Sequence, residues 1–362
     1  MKILKLFLFW RIGLIILTFL GSLIFPLVEN GGIGAIGAGR EFDFWASWAQ
    51  WDGGHFYNIA KFGYFGPNEY AFFPLFPLLI KFFSLILFGN LLLAGFLISN
   101  IAFLIFLYIF YELVKSKYNQ KTATRALITL ISFPTAYFAV AFYSEPLFLL
   151  LSALTFLLLE KRKFIEAAIF ASFASFTRFV GIFLVIPVTF YYLESIKFSF
   201  RNLNLNIISI PISLTGIISY CLYLFLKFQD PFYFLTVEST WHRSITNPAT
   251  TIYYYLTENV TNKPFNDYLD VFLTLAFLII LGFGIRKISL SWWLFSLLVI
   301  IVPASTGTLT SMPRYLLGAI PVFVLAGIYL KDRQFMQIFI WSSSLILQVV
   351  LAVMFVNGRW TA

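Results

Sequence analysis

Eleven apolar stretches of the sequence are long enough to form all or part of a membrane span. They cover residues 5–27, 91–112, 124–142, 146–159, 164–177, 180–193, 207–227, 269–285, 291–303, 315–330 and 335–356. A helix needs about 20 apolar residues to cross the hydrocarbon core of a bilayer, which is about 30 Å thick. Several stretches are shorter, so we expect half-helices or broken helices among them. The sequence therefore predicts an all-α, polytopic integral membrane protein with about eleven transmembrane helices.

The composition excludes other classes of protein. Of the 362 residues, 60% are hydrophobic and 11% are charged, whereas soluble domains have about 45–50% and about 25%. These values exclude a water-soluble domain, a disordered chain and a secreted disulfide scaffold. The single cysteine, Cys221, excludes an intramolecular disulfide. The first apolar stretch is too long for the core of a signal peptide and has no small-residue cleavage site, so we expect it to be the first span.

The basic residues predict the orientation. They cluster near residues 2–11, 115–125, 161–163, 197–201, 286–287 and 331–333. If residues 71–112 cross the membrane once, one side holds sixteen of the 25 basic residues and five acidic ones, and the other holds nine and eleven. Basic residues mark cytoplasmic loops, so we expect a cytoplasmic N-terminus and no nucleic-acid partner despite the net charge of +9. The membrane is expected to be the cell membrane, with an internal membrane as the alternative.

This topology places two long segments, residues 28–70 and 228–268, and a shorter loop at 304–314 outside the cytoplasm. Loops of that length are usually functional, and we expect them to belong to a single domain that covers residues 1–362. The Gly-rich piece 31–39 predicts a flexible start of the first loop. The stretch 71–90 contains two prolines and a lysine, and it could form a full span or a partial helix at the outer face.

The first outer loop combines tryptophans with polar residues. Trp45, Trp48 and Trp51 recur every three residues, which predicts an amphipathic helix in the membrane interface with its tryptophans at headgroup level. Asp52 and His55 follow at once, on either side of two glycines. One interpretation is an interfacial anchor that ends in an Asp-Gly turn. The other is a site that holds an acid and an imidazole beside a lipid headgroup, where a carboxylate can act as a general base.

Glu145 lies between two apolar stretches, within the motif YSEP at 143–146. A carboxylate beside the bilayer is energetically costly, and it is therefore a candidate functional residue. The alternative is a solvated helix start, with Ser144 as the cap and Pro146 in the first turn. Both interpretations can hold together.

Three arginines lie on the outer side in this topology. Arg178 is far along the chain from any other basic residue, and it either reaches towards headgroups or binds an anion, since a guanidinium suits bidentate contact with phosphate. In the second outer loop, Trp241, His242 and Arg243 place an aromatic ring, an imidazole and a cation together. Arg314 stands at the outer entrance of a span, where it could also be an interfacial anchor.

These residues become more informative together than they are singly. The basic clusters that set the topology contain none of them, yet all seven fall on the outer side: Asp52, His55, Glu145, Arg178, His242, Arg243 and Arg314. Two acids, two histidines and three arginines describe a site for an anionic, lipid-linked substrate. Proton relays and ion pathways would place such groups near the middle of the bilayer. Asp52 and His55 are too few ligands to predict a metal site.

The motifs resemble those of the PIG-V family, the GPI mannosyltransferase 2-like enzymes. The matching stretches occur in the family's order and cover nearly the whole chain: WDGGHFYNIAKFGY at 51–64, AFFPLFP at 71–77, FYSEPLF at 142–148, TRFVG at 177–181, DPFYF with WHR at 230–243, PRYLL at 313–317 and NGRW at 357–360. The set is specific, although no single stretch would identify the family. Because the chain is shorter than eukaryotic members, we expect a prokaryotic protein whose acceptor is not a GPI intermediate.

The resemblance implies a GT-C-like fold with interfacial helices in a long first outer loop. It further implies an integral membrane glycosyltransferase that uses a polyprenyl-phosphate sugar. The enzyme would transfer a hexose, with mannose favoured, to an acceptor hydroxyl on the extracytoplasmic face, with inversion. Asp52 fits the family's general base. No cofactor is predicted, and dependence on a divalent metal stays open. The expected partners are the lipid-linked donor, an acceptor that the sequence does not identify, and membrane lipids.

The remaining candidates are assigned to substrate binding. Arg178 and Arg314 would hold the donor phosphate, and His55 and Glu145 would orient the donor or the acceptor. Trp51 and Tyr315 are also assigned to the expected site, and His242 and Arg243 are weaker candidates from the second outer loop.

A transporter or flippase of a lipid-linked sugar is the alternative function. It would share the basic pocket and the apolar composition, but internal repeats and charges near mid-membrane would be expected, and the sequence indicates neither. A non-catalytic membrane scaffold would need no carboxylate after the tryptophan-rich segment. We therefore favour the enzyme.

Overall fold

The computed structural model describes residues 3–29, 41–257 and 264–361, and this part of the chain is helical, without a β-strand. The helices are α1 (Ile3–Ile24), α2 (Asp52–Phe62), α3 (Leu75–Ile86), α4 (Leu91–Lys117), α5 (Gln120–Ile131), α6 (Glu145–Glu160), α7 (Phe164–Thr177), α8 (Val185–Ser195), α9 (Ser209–Phe228), α10 (Tyr233–Glu238), α11 (Pro248–Thr257), α12 (Phe265–Gly284), α13 (Leu290–Ala304), α14 (Met312–Leu316), α15 (Ile320–Tyr329) and α16 (Gln334–Val356). The all-α class is confirmed, and the Gly-rich piece 31–39 lies outside the described residues.

Each of the eleven apolar stretches overlaps a helix. Within the described residues, five helical segments are individually long and apolar enough to cross a membrane: α1, α4, α9 with the turn before it, α12 and α16. Other apolar helices, such as α7, α13 and α15, contain between 10 and 17 residues. The expectation of half-helices and broken helices agrees with these lengths.

Within residues 71–90, the structure forms one short helix, α3. It has 12 residues, which is about 18 Å of helix and too short to cross the hydrocarbon core. Phe76 and Ile80 are buried, whereas Phe82 and Ile86 on the other side are exposed. This stretch is therefore a partial helix with one apolar face turned outward.

The predicted span 124–142 is wrong beyond Ile131, where α5 ends. Pro134 has no N–H and disfavours helical backbone in the residue before it. The side-chain amide of Gln348 in α16 supplies donors for the backbone carbonyls at this helix end. Its Nε2 donates to the carbonyls of Ile131 and Phe133 at 3.0 and 2.6 Å. The indole of Trp10 donates to Gln348 Oε1 at 2.7 Å and thereby fixes the amide.

The described chain packs as two compact units. The first consists of Met1–Phe65, Phe76–Pro146 and Ala326–Ala362, and the second of Gly66–Leu75 and Leu147–Leu325. The first unit thus contains the first and last helices, and α1 packs closely on α16: a Cβ added at Gly21 would lie 2.6 Å from the side chain of Val353.

A buried, mostly non-helical segment, residues 132–144, runs through the first unit. Its backbone is bonded by side chains of α4: Ser99 Oγ donates to the carbonyl of Tyr143 at 3.1 Å, and Asn100 Nδ2 donates to that of Val140 at 3.2 Å. Both side chains lie eight or more residues into α4, about 12 Å from its start. The segment that leads to Glu145 therefore packs beside the interior of α4 and not beside its first turn.

In the second unit, α7 and α9 approach each other closely. A Cβ on Gly216 of α9 would lie 2.0 Å from the backbone carbonyl oxygen of Ser172 in α7. Beside this point, the hydroxyls of Ser172 and Thr215 are hydrogen-bonded at 2.7 Å. The pairing depends on a residue without a side chain at position 216.

We expect Gly216→Ala to destabilise the protein by about 1–3 kcal/mol, because the added methyl group must push two helix backbones apart. The measurement is the thermal midpoint of the purified protein in detergent. Gly282→Ala in α12 is the matched control, since nothing lies within 4 Å of a Cβ at that position. Equal midpoints for the two variants would contradict the close approach.

Candidate active site

Asp52 is the first residue of α2 and follows a strained residue. Trp51 has φ 55° and ψ −121°, a combination that is unfavourable for a residue with a side chain. The indole of Trp51 packs edge-on against Trp360 with ring centroids 5.0 Å apart. The chain end therefore supports the turn that presents Asp52, which is itself partly buried.

The three tryptophans do not form one interfacial helix, contrary to the prediction. Residues Ala46–Ala49 form a short 3-10 turn, and Trp48 within it is fully buried, whereas Trp45 is 54% exposed. The guanidinium of Arg11 lies 4.5 Å from the centre of the Trp48 ring, at cation–π distance. The predicted topology assigns Arg11 to the basic cluster at the N-terminus, but its side chain is buried against this loop.

The two glycines after Asp52 have different roles. A Cβ at Gly53 would lie 3.1 Å from the carbonyl oxygen of Phe142, so this residue lets α2 pack against the buried segment. A Cβ at Gly54 would meet nothing within 4 Å. His55 is three residues after Asp52 on the same helix, which places the two side chains on one face. The acid and the imidazole are thus neighbours on α2, and there is open space next to Gly54, which lies between them in the sequence.

Glu145 is the first residue of α6 and is only 3% exposed. This burial argues against the solvated helix start. Two hydrogen bonds tie the residues before Glu145 to the residues before Asp52. The amide of Phe142 donates to the carbonyl of Trp48 at 3.0 Å, and the hydroxyl of Tyr143 donates to that of Gln50 at 2.9 Å. The starts of α2 and α6 are therefore held together in the first unit.

In the second unit, three guanidinium groups surround the ring of Tyr315. The central carbon of Arg314 lies 5.3 Å from the ring centroid, that of Arg178 lies 5.5 Å from it, and that of Arg243 lies 5.6 Å from it. These residues come from sequence positions that span more than 130 residues. The fold thus brings together the three arginines and the tyrosine that the sequence placed on the outer side.

Each arginine is positioned by a break in regular structure. Arg178 ends α7 in an extended conformation, and the chain then turns through the 3-10 residues Phe179–Leu184. Arg314 lies in the short helix α14, which begins directly after Ser311. Ser311 has φ 70°, and Arg314 is 4% exposed. His242 has φ 58° and is exposed, so the structure places this imidazole at the surface, next to Arg243.

Arg243 connects the segment after α10 with the segment between α13 and α14. Its Nη1 donates to Thr306 Oγ1 at 3.1 Å, and its Nη2 donates to the carbonyl of Thr310 at 3.2 Å and to the Tyr315 hydroxyl at 3.3 Å. The backbone continues the connection, because the amide of Ser244 donates to the carbonyl of Thr306 at 2.9 Å. The loops 228–268 and 304–314 thus meet at this arginine.

Two acids beside Arg243 were missed by the sequence reasoning. Glu238 Oε2 forms an ion pair with Arg243 Nε at 3.1 Å. Asp270, near the start of α12, is 3% exposed and interacts electrostatically with Arg243. The signal for Asp270 was available, because it is an acid inside the apolar stretch 269–285. The pairing of Glu238 depends on the turn at 239–241 and could not be read from spacing.

The two units offer different chemistry. In the second unit, the arginine cluster contains guanidinium groups of the kind that bind phosphate or carboxylate. In the first unit, Asp52 offers a carboxylate beside an imidazole. Within the described residues, no group of three or more His, Cys, Asp or Glu side chains is arranged to hold a metal ion.

Five membrane-length helices among the described residues define an integral membrane protein. The comparison with known proteins then identifies its relatives. The chain belongs to the mannosyltransferase (PIG-V) family, whose sequence profile matches residues 2–234. The resemblance inferred from the motifs is therefore confirmed.

A curated relative and two solved structures are similar to the chain. GPI mannosyltransferase 2 of Schizosaccharomyces pombe is 30% identical over 187 residues, which are 50% of this chain and 40% of that protein. ArnT from Cupriavidus metallidurans, solved with undecaprenyl phosphate, matches with a TM-score of 0.55 and 13% identity over 95% of this chain and 63% of its own. The Archaeoglobus fulgidus oligosaccharyltransferase matches at a TM-score of 0.46, with 12% identity over 96% of this chain and 53% of its own. The likeness to ArnT confirms the predicted GT-C-like fold.

We expect Tyr143→Phe to destabilise the first unit by about 1–3 kcal/mol, because the buried carbonyl of Gln50 loses its hydroxyl donor. The measurement is the thermal midpoint in detergent. Tyr108→Phe in α4 is the matched control, since Tyr108 is 43% exposed. If both variants melt like the wild type, the bond between the two segments contributes nothing to stability.

Proposed function

We propose that the protein is a membrane glycosyltransferase. It moves a hexose, and specifically mannose, from a polyprenyl-phosphate donor to an acceptor hydroxyl on the extracytoplasmic face, with inversion. The observation that carries this proposal is the convergence of three guanidinium groups on Tyr315, at 5.3–5.6 Å. Phosphate is the anion that such a set recognises best.

The cluster has a charge that a bound anion would balance. Like charges at these separations repel one another, and the repulsion grows as water is excluded. Glu238 forms an ion pair with Arg243. Arg178 and Arg314 are the guanidinium groups that we assign to the donor phosphate. Arg243 then orients Tyr315 through its hydroxyl.

In the proposed reaction, Asp52 takes the proton of the acceptor hydroxyl while the oxygen attacks the anomeric carbon of the sugar. The bond between that carbon and the phosphate oxygen breaks, and its electron pair leaves with polyprenyl phosphate. Arg178 and Arg314 stabilise the negative charge that develops on the leaving phosphate. The new bond forms on the opposite face of the sugar, which inverts its configuration, and Asp52 later releases the proton to water.

The supporting side chains act through position. His55 lies on the same face of α2 as Asp52, and it would orient the acceptor hydroxyl. Glu145, buried at the start of α6, would orient the sugar through its hydroxyls. Trp51 supplies an aromatic surface beside Asp52. His242 is exposed and is assigned the weakest role, at the entrance for the donor.

Family membership supports the sugar and the class of donor. The family's description is that of a mannosyltransferase, and the fold resembles that of ArnT, which was solved with undecaprenyl phosphate. The donor brings its own activated sugar, so no cofactor enters the proposal. The roles of Asp52 and the arginines need no metal ion either. The acceptor is left as a hydroxyl compound of the membrane or its surface.

We expect Asp52→Asn to lower the transfer rate by about 10²–10⁴-fold, the contribution typical of a general base, without weakening donor binding. The measurement uses radiolabelled polyprenyl-phosphate mannose, a crude lipid extract and the full chain in liposomes, with a chelator present. Asp43→Asn is the matched control. It lies in the same loop and accepts hydrogen bonds from the amides of Trp45 and Ala46, which an asparagine oxygen preserves.

Three results would count against parts of this proposal. Equal transfer by wild type and Asp52→Asn would remove Asp52 as the base. Complete loss of transfer in the chelator, with recovery on adding a divalent ion, would contradict the metal-free reaction. Movement of the donor across sealed vesicles without transfer by any variant would favour the flippase.

Neutralising the proposed phosphate ligands should weaken donor binding. We expect Arg178→Gln and Arg314→Gln to raise the Kd for the donor by about 10–100-fold, because each removes a charge-assisted contact. Arg314→Lys separates charge from geometry, since it keeps the cation but loses the planar fork. The exposed Arg201→Gln is the control. Unchanged donor affinity in both Gln variants, with intact thermal midpoints, would exclude the cluster as the phosphate site.

A further inference from the structure

A groove of about 320 Å³ lies between α7 and α9 in the second unit. It runs past the point where Gly216 lets the two helices touch. Aromatic and aliphatic side chains form its walls, and small hydroxyl residues lie along its floor. Its lining includes Phe173, Phe176, Ile212, Thr215, Gly216 and Ser219. Phe173 is 44% exposed, so the groove opens on the outside of the helix pair, which lipid covers in a membrane protein.

The same face of α9 continues beyond the groove to a cation. Tyr223 and Lys227 follow Gly216 by seven and eleven residues, and these spacings return to the same side of an α-helix. Tyr223 is 40% exposed on this face. The groove therefore leads along one helix surface to an ammonium group at the C-terminal end of α9.

The ammonium of Lys227 is held in place by aromatic side chains. It donates a hydrogen bond to the Tyr70 hydroxyl, and it lies 4.9 Å from the centre of the Tyr70 ring and 5.6 Å from that of Phe228. Tyr70 is fixed in turn, because the hydroxyl of Tyr220 donates to its carbonyl at 2.7 Å. A lysine with tyrosines at a helix end is typical of the headgroup level of a membrane.

The length of this surface matches one leaflet. Ile212 and Lys227 are fifteen residues apart on a continuous helix, which is about 22 Å. Half of a bilayer measures about 20–22 Å when the headgroup region is included. A lipid with its phosphate at Lys227 would thus have its acyl chain beside α9 and in the groove. A polyprenyl chain is longer than one leaflet and fits this surface less well.

We propose that this face of α7 and α9 binds one anionic glycerophospholipid, with its phosphate at Lys227 and an acyl chain in the groove. Charge complementarity identifies the headgroup class, since a zwitterionic headgroup adds a second cation beside the lysine. The site is separate in its residues from the arginines assigned to the sugar donor. It does not depend on the proposed reaction.

The test is native mass spectrometry of the full chain, titrated with phosphatidylglycerol, phosphatidylcholine of the same acyl chains, and polyprenyl phosphate. The wild type should bind one phosphatidylglycerol about tenfold more tightly than phosphatidylcholine, the gain from one charge-assisted contact. Lys227→Gln should abolish that preference. Ser219→Phe should weaken both phospholipids alike, because its exposed side chain would fill the groove.

Lys61→Gln is the matched control. Lys61 lies in α2, outside the groove, and its ammonium also stands near aromatic rings, 5.0 Å from Phe62 and 5.8 Å from Tyr57. This variant should keep the wild-type preference. The proposal is overturned if Lys61→Gln loses the preference as much as Lys227→Gln does, or if the wild type shows none. The proposal is also overturned if polyprenyl phosphate binds more tightly than phosphatidylglycerol and Lys227→Gln removes that tighter binding.

Discussion

An unbonded backbone amide or carbonyl in apolar surroundings is too costly to keep, and the first unit depends on how this cost is avoided. An α-helix satisfies its own groups, but residues 132–144 contain only the short 3-10 helix Ala136–Val140. Gln348, Ser99 and Asn100 supply the missing partners from three positions on α16 and α4. The buried segment can therefore leave helical geometry and carry Glu145 to the loop that presents Asp52. A polar site inside an apolar bundle requires such side-chain bonding.

The second unit contains a concentration of positive charge. Arg178, Arg243 and Arg314 converge on one aromatic ring, and their mutual repulsion must be offset by other groups. Part of the compensation is internal, through the ion pair of Glu238 with Arg243 and through the π-face of Tyr315. The ion pair and hydrogen bonds of Arg243 also fix the loops that carry the cluster. Arg243 thus holds together the loops around the cluster as well as contributing to its charge.

The helical class was predicted correctly, and the candidate site residues were chosen, for a single physical reason. In a chain with 11% charged residues, each charge outside a cytoplasmic cluster is costly and therefore informative. Pro134 was a local signal for the end of α5, but the hydrogen bonds from Gln348, more than 200 residues away, could not be read from the sequence. The burial of Trp48 was missed for the same kind of reason, since its partner Arg11 lies in another helix. Local periodicity contains no information about such long-range contacts.

The backbone at Trp51 shows how closely the chain end and the first loop depend on each other. Gln229, His242 and Ser311 also have positive φ, but their ψ values of 11–27° place them in the left-handed helical region. Trp51, with ψ −121°, lies outside it, so its conformation needs support from packing. Trp360 provides an edge-on ring contact, and the carbonyl of Val356 accepts from Gln50 Nε2 at 3.2 Å. Residues 356–360 are thus part of the structure that holds Asp52.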